Sequence, residues 1–327
     1  MPPYGITVPF PGPLHAQRPM FEEVAELGYT DVWSAETMGE DAFAPLYLAS
    51  VWAPKLRLGT AIVPAFTRGP ALMAQSVASL ASVAPGRVAF GIGTSSNVIV
   101  ERWNDVPFEE PYKKVRDMVQ FLQTALTGEK VTQDYDTFSV KGFRLSVRLE
   151  EQPTILIAAL REGMLRLAGS KSDGTIVNWL SPENAAVVSS IVHDAAAASG
   201  NDAKPKEVVA RLFVVPSEDR ETVLREAKYV MAAYLNVPVY RKFHEWMGRT
   251  DDLAEHWALW ESGDRPAALE AIPDHIVDEL IVSGSAKQCK ARIQEYYDNG
   301  ITTAALAVLP LAGVDMLQAV RDLAPSA

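Results

Sequence analysis

The chemistry open to this 327-residue chain must come from a few side chains, because self-sufficient catalytic patterns are missing from the sequence. His15, His193, His244, His256 and His275 show neither HxH nor HExxH spacing, so no metal is expected. Gly91-Ile92-Gly93 follows an apolar run, yet GIGTSS lacks the third glycine of a dinucleotide fingerprint. Without a GxSxG, a Ser-His-Asp site would lack its nucleophile elbow. Cys289, the only cysteine, lies in the helix-like AKQCKARIQEYY with no paired histidine apparent, and it has no disulfide partner within the chain. What remains points to chemistry supplied by an organic coenzyme.

Three polar features survive this elimination. Arg161, Glu162, Gly163 and Met164 close one strand-like run and open a helix-like one. Amides left free at a helix N-terminus attract phosphate, glycine lets the backbone come close, and arginine adds a charged contact. Arg161 can equally be a surface residue paired with Glu162 or a neighbouring acid. Glu36 ends a second run, where a carboxyl group can exchange protons with a bound molecule or serve as a salt-bridged brace. Asn178 ends a third, in a position to cap the helix beginning at Pro182.

Composition narrows the partners. A net charge of −11 disfavours nucleic acid and anionic membranes, which need a basic surface, so an anionic ligand must be met by local arginines and amides. Apolar residues at 48% and charged residues at 22% are globular values with ample material for one large core. The N-terminus lacks a basic region followed by an unbroken apolar stretch, and no long charge-free run appears later. A cytoplasmic protein acting on a small molecule is expected.

The elements that must position these residues alternate throughout. Strand-like runs at Tyr4 to Phe10, Asp31 to Glu36, Leu56 to Val63, Arg87 to Gly93, Thr154 to Leu160, Thr175 to Leu180, Val208 to Val215 and Ile301 to Leu309 are separated by helical patterns. Right-handed crossovers force such units into a parallel sheet, and eight can close into a (β/α)8 TIM barrel spanning residues 1–327. Gly28, Gly86, Gly174 and Gly300 stand between helix and next strand as left-handed C-caps. The segments that follow strands are longer, including TSSNVIVERWNDVPFEEP, and in a barrel these line the face where active sites form. Two insertions break the rhythm, about 128–151 as a hairpin or loop and about 236–284 with Trp246, Trp257 and Trp260. The second can be a helical lid, a subunit contact or packing on the barrel wall.

The runs LGYTDVWSAET, LRLGTAIVPAFTRGPALMAQSVASLASVAPGRVAFGIG and WNDVPFEEPYKKVRDMV resemble the bacterial luciferase-like family, in particular its actinobacterial deazaflavin-dependent branch. AALREGMLRLAGSKSDG, TIVNWLSPE and AAYLNVPVYRKF are similar to the same branch, so the resemblance covers most of the chain. It implies a coenzyme ring in the barrel mouth, either coenzyme F420 or FMN, backed by a bulge with a non-proline cis peptide at the position of Ala61-Ile62. It also places Asn178 where related enzymes contact coenzyme or substrate, and Glu36, in a pocket partly closed by Trp33 or Trp103, near the reacting ring. Many relatives carry histidine after that acid. This chain has Thr37 there, and Ser95-Ser96-Asn97 offers no second acid, so glucose 6-phosphate is a poor substrate.

The reading the resemblance supports is an F420-dependent oxidoreductase transferring hydride to or from a small organic substrate. The alternatives are an FMN-dependent monooxygenase and a non-catalytic coenzyme-binding barrel. A homodimer is expected, since barrels of this family commonly pair and the tryptophan-rich segment would stay partly exposed on a monomer.

Overall fold

A computed structural model describes residues 2–325. Short buried strands rich in Val, Ile and Ala are the pieces a parallel sheet covered on both faces requires. Eight of them close a barrel in the order β1 (Tyr4–Thr7), β2 (Asp31–Ser34), β3 (Arg57–Thr60), β5 (Val88–Gly93), β8 (Thr154–Ala158), β9 (Gly174–Asn178), β10 (Glu207–Val215) and β12 (Thr303–Val308), with β12 returning to β1. The remaining strands are β4 (Val63–Pro64), which resumes against β5 after a break in β3, the antiparallel hairpin β6 (Val131–Asp134) and β7 (Ser139–Phe143), and β11 (Ile281–Ser283). The crossover helices are α1 (Arg18–Glu26), α2 (Phe43–Trp52), α3 (Pro70–Val83), α4 (Pro111–Ala125), α5 (Glu162–Lys171), α6 (Pro182–Ser199), α7 (Arg220–Leu235) and α12 (Ala286–Asp298). Among the described residues no helix is long and apolar enough to cross a membrane.

The barrel is a (β/α)8 TIM barrel, and its interior is layered. Trp33, Ala61, Ala89, Leu156, Ile176, Val209 and Ala305 form the central plug. Gly59 makes room for it, because a β-carbon there would lie 2.2 Å from the Trp33 ring. At the N-terminal end Arg57 meets Glu207 through two hydrogen bonds of 2.6 Å, Asp31 stands 3.5 Å away, and Thr303 donates to Glu207. Burial pushes the Asp31 carboxyl up.

Gly28, Gly86 and Gly300 take positive φ of 89°, 69° and 96° between helix and strand. Gly174 does not. It is the first residue of β9, where a β-carbon would fall 2.0 Å from the Glu207 carbonyl, so glycine there permits close strand approach and caps nothing.

The first insertion is the β6–β7 hairpin. The second is four helices, α8 (Pro238–Trp246), α9 (Thr250–Ser262), α10 (Arg265–Glu270) and α11 (Asp274–Leu280), followed directly by β11, a strand the sequence reading left inside the insertion. β11 pairs with Phe213–Val215. A last helix, α13 (Met316–Asp322), also went unread. The tryptophans pack inward: Trp257 is buried and donates to the Leu235 carbonyl, and Trp246 and Trp260 are partly buried against the core. Trp246 and Trp260 thus keep part of their surface exposed on a monomer, while Trp257 does not. Arg249, itself buried, ties this helical insertion to the barrel by donating to Asn184 at 2.6 Å and to Glu279 at 3.0 Å.

Candidate active site

The C-terminal strand ends gather the polar groups. β3 breaks at its end: the Thr60 hydroxyl donates to the Gly91 carbonyl at 2.9 Å and accepts from the Gly91 amide at 2.8 Å. A side chain thus replaces the backbone ladder where the strand leaves its neighbour. The next peptide, Ala61–Ile62, is cis, and the Ile62 carbonyl accepts from the Glu36 amide at 3.1 Å. Gly93 faces this bulge. A β-carbon on it would stand 2.9 Å from Ala158 Cβ and 3.3 Å from Ile62, so glycine there lets this wall of the mouth pack closely.

Glu36 is held rather than free. Arg68, from the loop before α3, reaches Oε1 at 2.6 Å and Oε2 at 2.7 Å, and the Ala42 amide donates to Oε1 at 3.3 Å. Arg68 in turn lies over the Phe43 ring at 5.0 Å. Two tryptophans were expected near Glu36. Trp33 is the central plug, while Trp103 is 52% exposed on a π-helical turn, Val98–Trp103. Arg68 was missed because a lone arginine in PAFTRGP has no spacing relation to Glu36.

Arg161 is the extended N-cap residue of α5, exposed, and its side chain does not cap the helix. Glu162 pairs with Arg166 at 2.7 Å, which removes the Arg161–Glu162 pairing as an explanation. Gly163 has open space where a β-carbon would be, and Met164 is partly buried in the same turn. The Asn178 capping alternative fails: Ser181 caps α6 through a box with Asn184. Asn178 instead donates through Nδ2 to the Tyr240 hydroxyl at 3.3 Å. Tyr240 comes from α8, so the helical insertion delivers a side chain to the mouth, and burial pushes its hydroxyl up to about 12. Trp179, at φ 54°, stacks on Phe213 with centroids 4.1 Å apart, and Tyr234 links this pair to Tyr240.

Two inward-facing polar atoms in the upper barrel, Thr7 Oγ1 and Arg211 Nε, are shielded from solvent with no hydrogen-bond partner, as is the indole nitrogen of Trp179 at the end of β9. Buried polar groups are nearly always satisfied, so each of these atoms has hydrogen-bonding capacity left for a ligand. Among the described residues no cluster of three His, Cys, Asp or Glu could hold a metal. Cys289 is buried in α12, with its thiol pushed up to about 12 by burial, which suits packing and not nucleophilic attack.

Comparison with known proteins places this arrangement. Residues 4–303 match the luciferase-like monooxygenase family. The chain is 26% identical over 279 residues to a 5,10-methylenetetrahydromethanopterin reductase of Methanolobus tindarius, covering 84% of each. It is 25% identical over 324 residues to a putative coenzyme F420-dependent oxidoreductase of Mycobacterium tuberculosis, covering 91% of this chain and 90% of that one. The fold superposes with a TM-score of 0.81 on the F420-dependent tetrahydromethanopterin reductase of Methanopyrus kandleri, at 20% identity over 99% and 98% of the two chains. An FMN-complexed oxygenating component of 3,6-diketocamphane monooxygenase from Pseudomonas putida gives 0.67 at 14% identity, over 99% and 97%. With the family match running through nearly the whole barrel, this chain belongs to the luciferase-like monooxygenase family.

Proposed function

We propose that the protein is an oxidoreductase that uses coenzyme F420 to move a hydride to or from a small organic substrate at the barrel mouth. The observation that carries this is the similarity, over 91% of the chain, to a putative F420-dependent oxidoreductase. The residues fit such a coenzyme: Ala61, Ile62, Gly93 and Ala158 form a close-packed apolar wall for a flat ring to lie against, and unpartnered polar atoms stand on inward strand faces near the strand ends. Bound there, a deazaflavin supplies hydride chemistry alone, because carbon replaces the flavin's central nitrogen.

In this reading the chain's own residues bind, orient and exclude water. Arg161 and the first-turn backbone at Gly163 and Met164 receive the coenzyme phosphate, using free amides and a charged hydrogen bond. Ala61 and Ile62 back the ring, and Asn178, fixed by Tyr240, presents its amide at the strand end. Glu36 is the carboxylate of the mouth. Its pairing with Arg68 gives it a bracing role first, and proton transfer is the alternative that substitution decides. The protein is further proposed to work in the cytoplasm as a homodimer, as the family resemblance implies.

The second reading, an FMN-dependent monooxygenase, draws on the family's own description. Titration with each coenzyme, followed by absorbance, separates the two. F420 saturating at micromolar concentration with FMN binding much more weakly is expected, FMN alone binding selects the monooxygenase, and neither binding rejects both. Turnover with any substrate excludes a non-catalytic barrel.

A further inference from the structure

The barrel holds two inward-facing arginines, and only one is matched. Arg57, at the N-terminal end, is neutralised by Glu207, to which it donates two hydrogen bonds. Arg211 stands on β10 two residues beyond Val209, which belongs to the central plug, and is in register with Ala305 and Asn178. Residues two apart on a strand share a face, so Arg211 projects into the barrel one layer nearer the mouth. Its guanidinium carbon lies 5.2 Å from the centroid of Phe213, which holds the side chain toward the strand end.

Arg211 has no carboxylate. Its Nε is shielded from solvent without a partner, and among the described residues no ion pair engages it. A shielded N–H without an acceptor loses a hydrogen bond it would make in water, and a ligand that brings an acceptor restores it. The neighbouring hydroxyl suits the same ligand: Tyr240 lies close enough for Arg211 to act on it, and it accepts from Asn178, leaving its own proton to donate. A guanidinium edge offers two parallel N–H donors, matching the two oxygens of a carboxylate. The coenzyme phosphate has its own candidate site at the exposed rim, where Arg161 stands.

We propose that Arg211, with Tyr240 as second donor, receives a carboxylate of the substrate, so that the substrate class of this oxidoreductase is an organic acid. This rests on the reading of the mouth as the active site.

The test is calorimetric titration of the protein, with and without saturating F420, using benzoate, benzamide and inorganic phosphate as probes. Benzoate is expected to bind at least about tenfold more tightly than benzamide and phosphate, and Arg211→Gln to reduce benzoate affinity by about ten- to hundredfold, the scale of a charged hydrogen bond. Arg211→Lys, which keeps the charge but loses the paired donors, should fall between. Equal binding of benzoate and benzamide to the wild-type protein overturns the proposal, and so does phosphate binding more tightly than benzoate. Should Arg211→Gln fail to fold, the wild-type comparison and the lysine variant still decide. Loss of F420 binding in Arg211→Gln with the benzoate preference intact would assign Arg211 to the coenzyme and overturn it too. Failure of the wild-type protein to bind F420, with a benzoate preference lost in Arg211→Gln, would reject the deazaflavin reading and leave the organic-acid site standing.

Discussion

Arg68 reaches both carboxylate oxygens of Glu36, at 2.6 and 2.7 Å, joining the end of β2 to the loop ahead of α3 across the cis Ala61–Ile62 bulge. Both side chains are mostly buried, at 14% and 17% exposure, so the pair shapes the mouth more than a surface ion pair would. Glu36→Gln keeps size and one acceptor but drops the charge opposite Arg68. A stability loss of about 1 kcal/mol in urea denaturation, with turnover within tenfold of wild type, is expected. A fall in turnover on the order of 10²–10⁴-fold at unchanged coenzyme affinity would instead make Glu36 the proton-transfer group.

Arg161 is exposed and free of the Glu162 pairing that would explain it. Arg161→Ala should therefore leave the melting temperature nearly unchanged while weakening F420 binding about ten- to hundredfold, equivalent to roughly 1.5–3 kcal/mol. A fluorescence titration giving the wild-type dissociation constant would remove it from the coenzyme site.

His244 gives the fold an acid limit. It is buried beside Arg249, 3.5 Å from Nη1, and burial followed by that charge lowers its pKa from 6.5 to about 3. His256 shifts the same way by burial, against the bond its Nδ1 makes to the Ala268 carbonyl. Between pH 6.5 and about 3 the unfolded chain takes up a proton at His244 that the native protein refuses. The stability contributed by His244 is thus fully present above pH 6.5 and lost as pH falls, by up to about 1.4 kcal/mol per pH unit. Urea midpoints at pH 7.5 and 5.5 should differ accordingly, and His244→Asn should flatten the dependence. Equal midpoints in the wild-type protein would contradict it.

Gly59→Ala tests the central plug. Its β-carbon would sit 2.2 Å from the Trp33 ring, forcing the indole to move within a filled barrel. A loss of about 1–3 kcal/mol is expected from overpacking, read by denaturant midpoint. Wild-type stability would mean that Trp33 can shift freely.

The proposed homodimer predicts a light-scattering mass of about twice 35.7 kDa at micromolar concentration. A single species at the monomer mass would reject it.

The order and type of the barrel elements lay in the sequence itself, because strand and helix periodicity are local and each crossover leaves one topology. Tyr4–Thr7, Asp31–Ser34 and Thr303–Val308 fall inside the apolar runs read as strands, and Gly28, Gly86 and Gly300 mark the tight turns between them. β11 stayed hidden, since Ile281–Ser283 is three residues long and strand only by pairing with Phe213–Val215. The site divides in the same way. Glu36, Arg161 and Asn178 were legible as candidates because strand ends and helix starts are visible as local boundaries. Arg68, Tyr240 and Arg211 were not, because what makes them matter is a partner far away in sequence: Glu36 for Arg68 at 32 residues, Asn178 for Tyr240 at 62. For Arg211 it is the lack of any acid where Glu207 answers Arg57. Sequence order thus determined the scaffold and the addresses on it, while barrel closure decided which distant side chains meet at the strand ends.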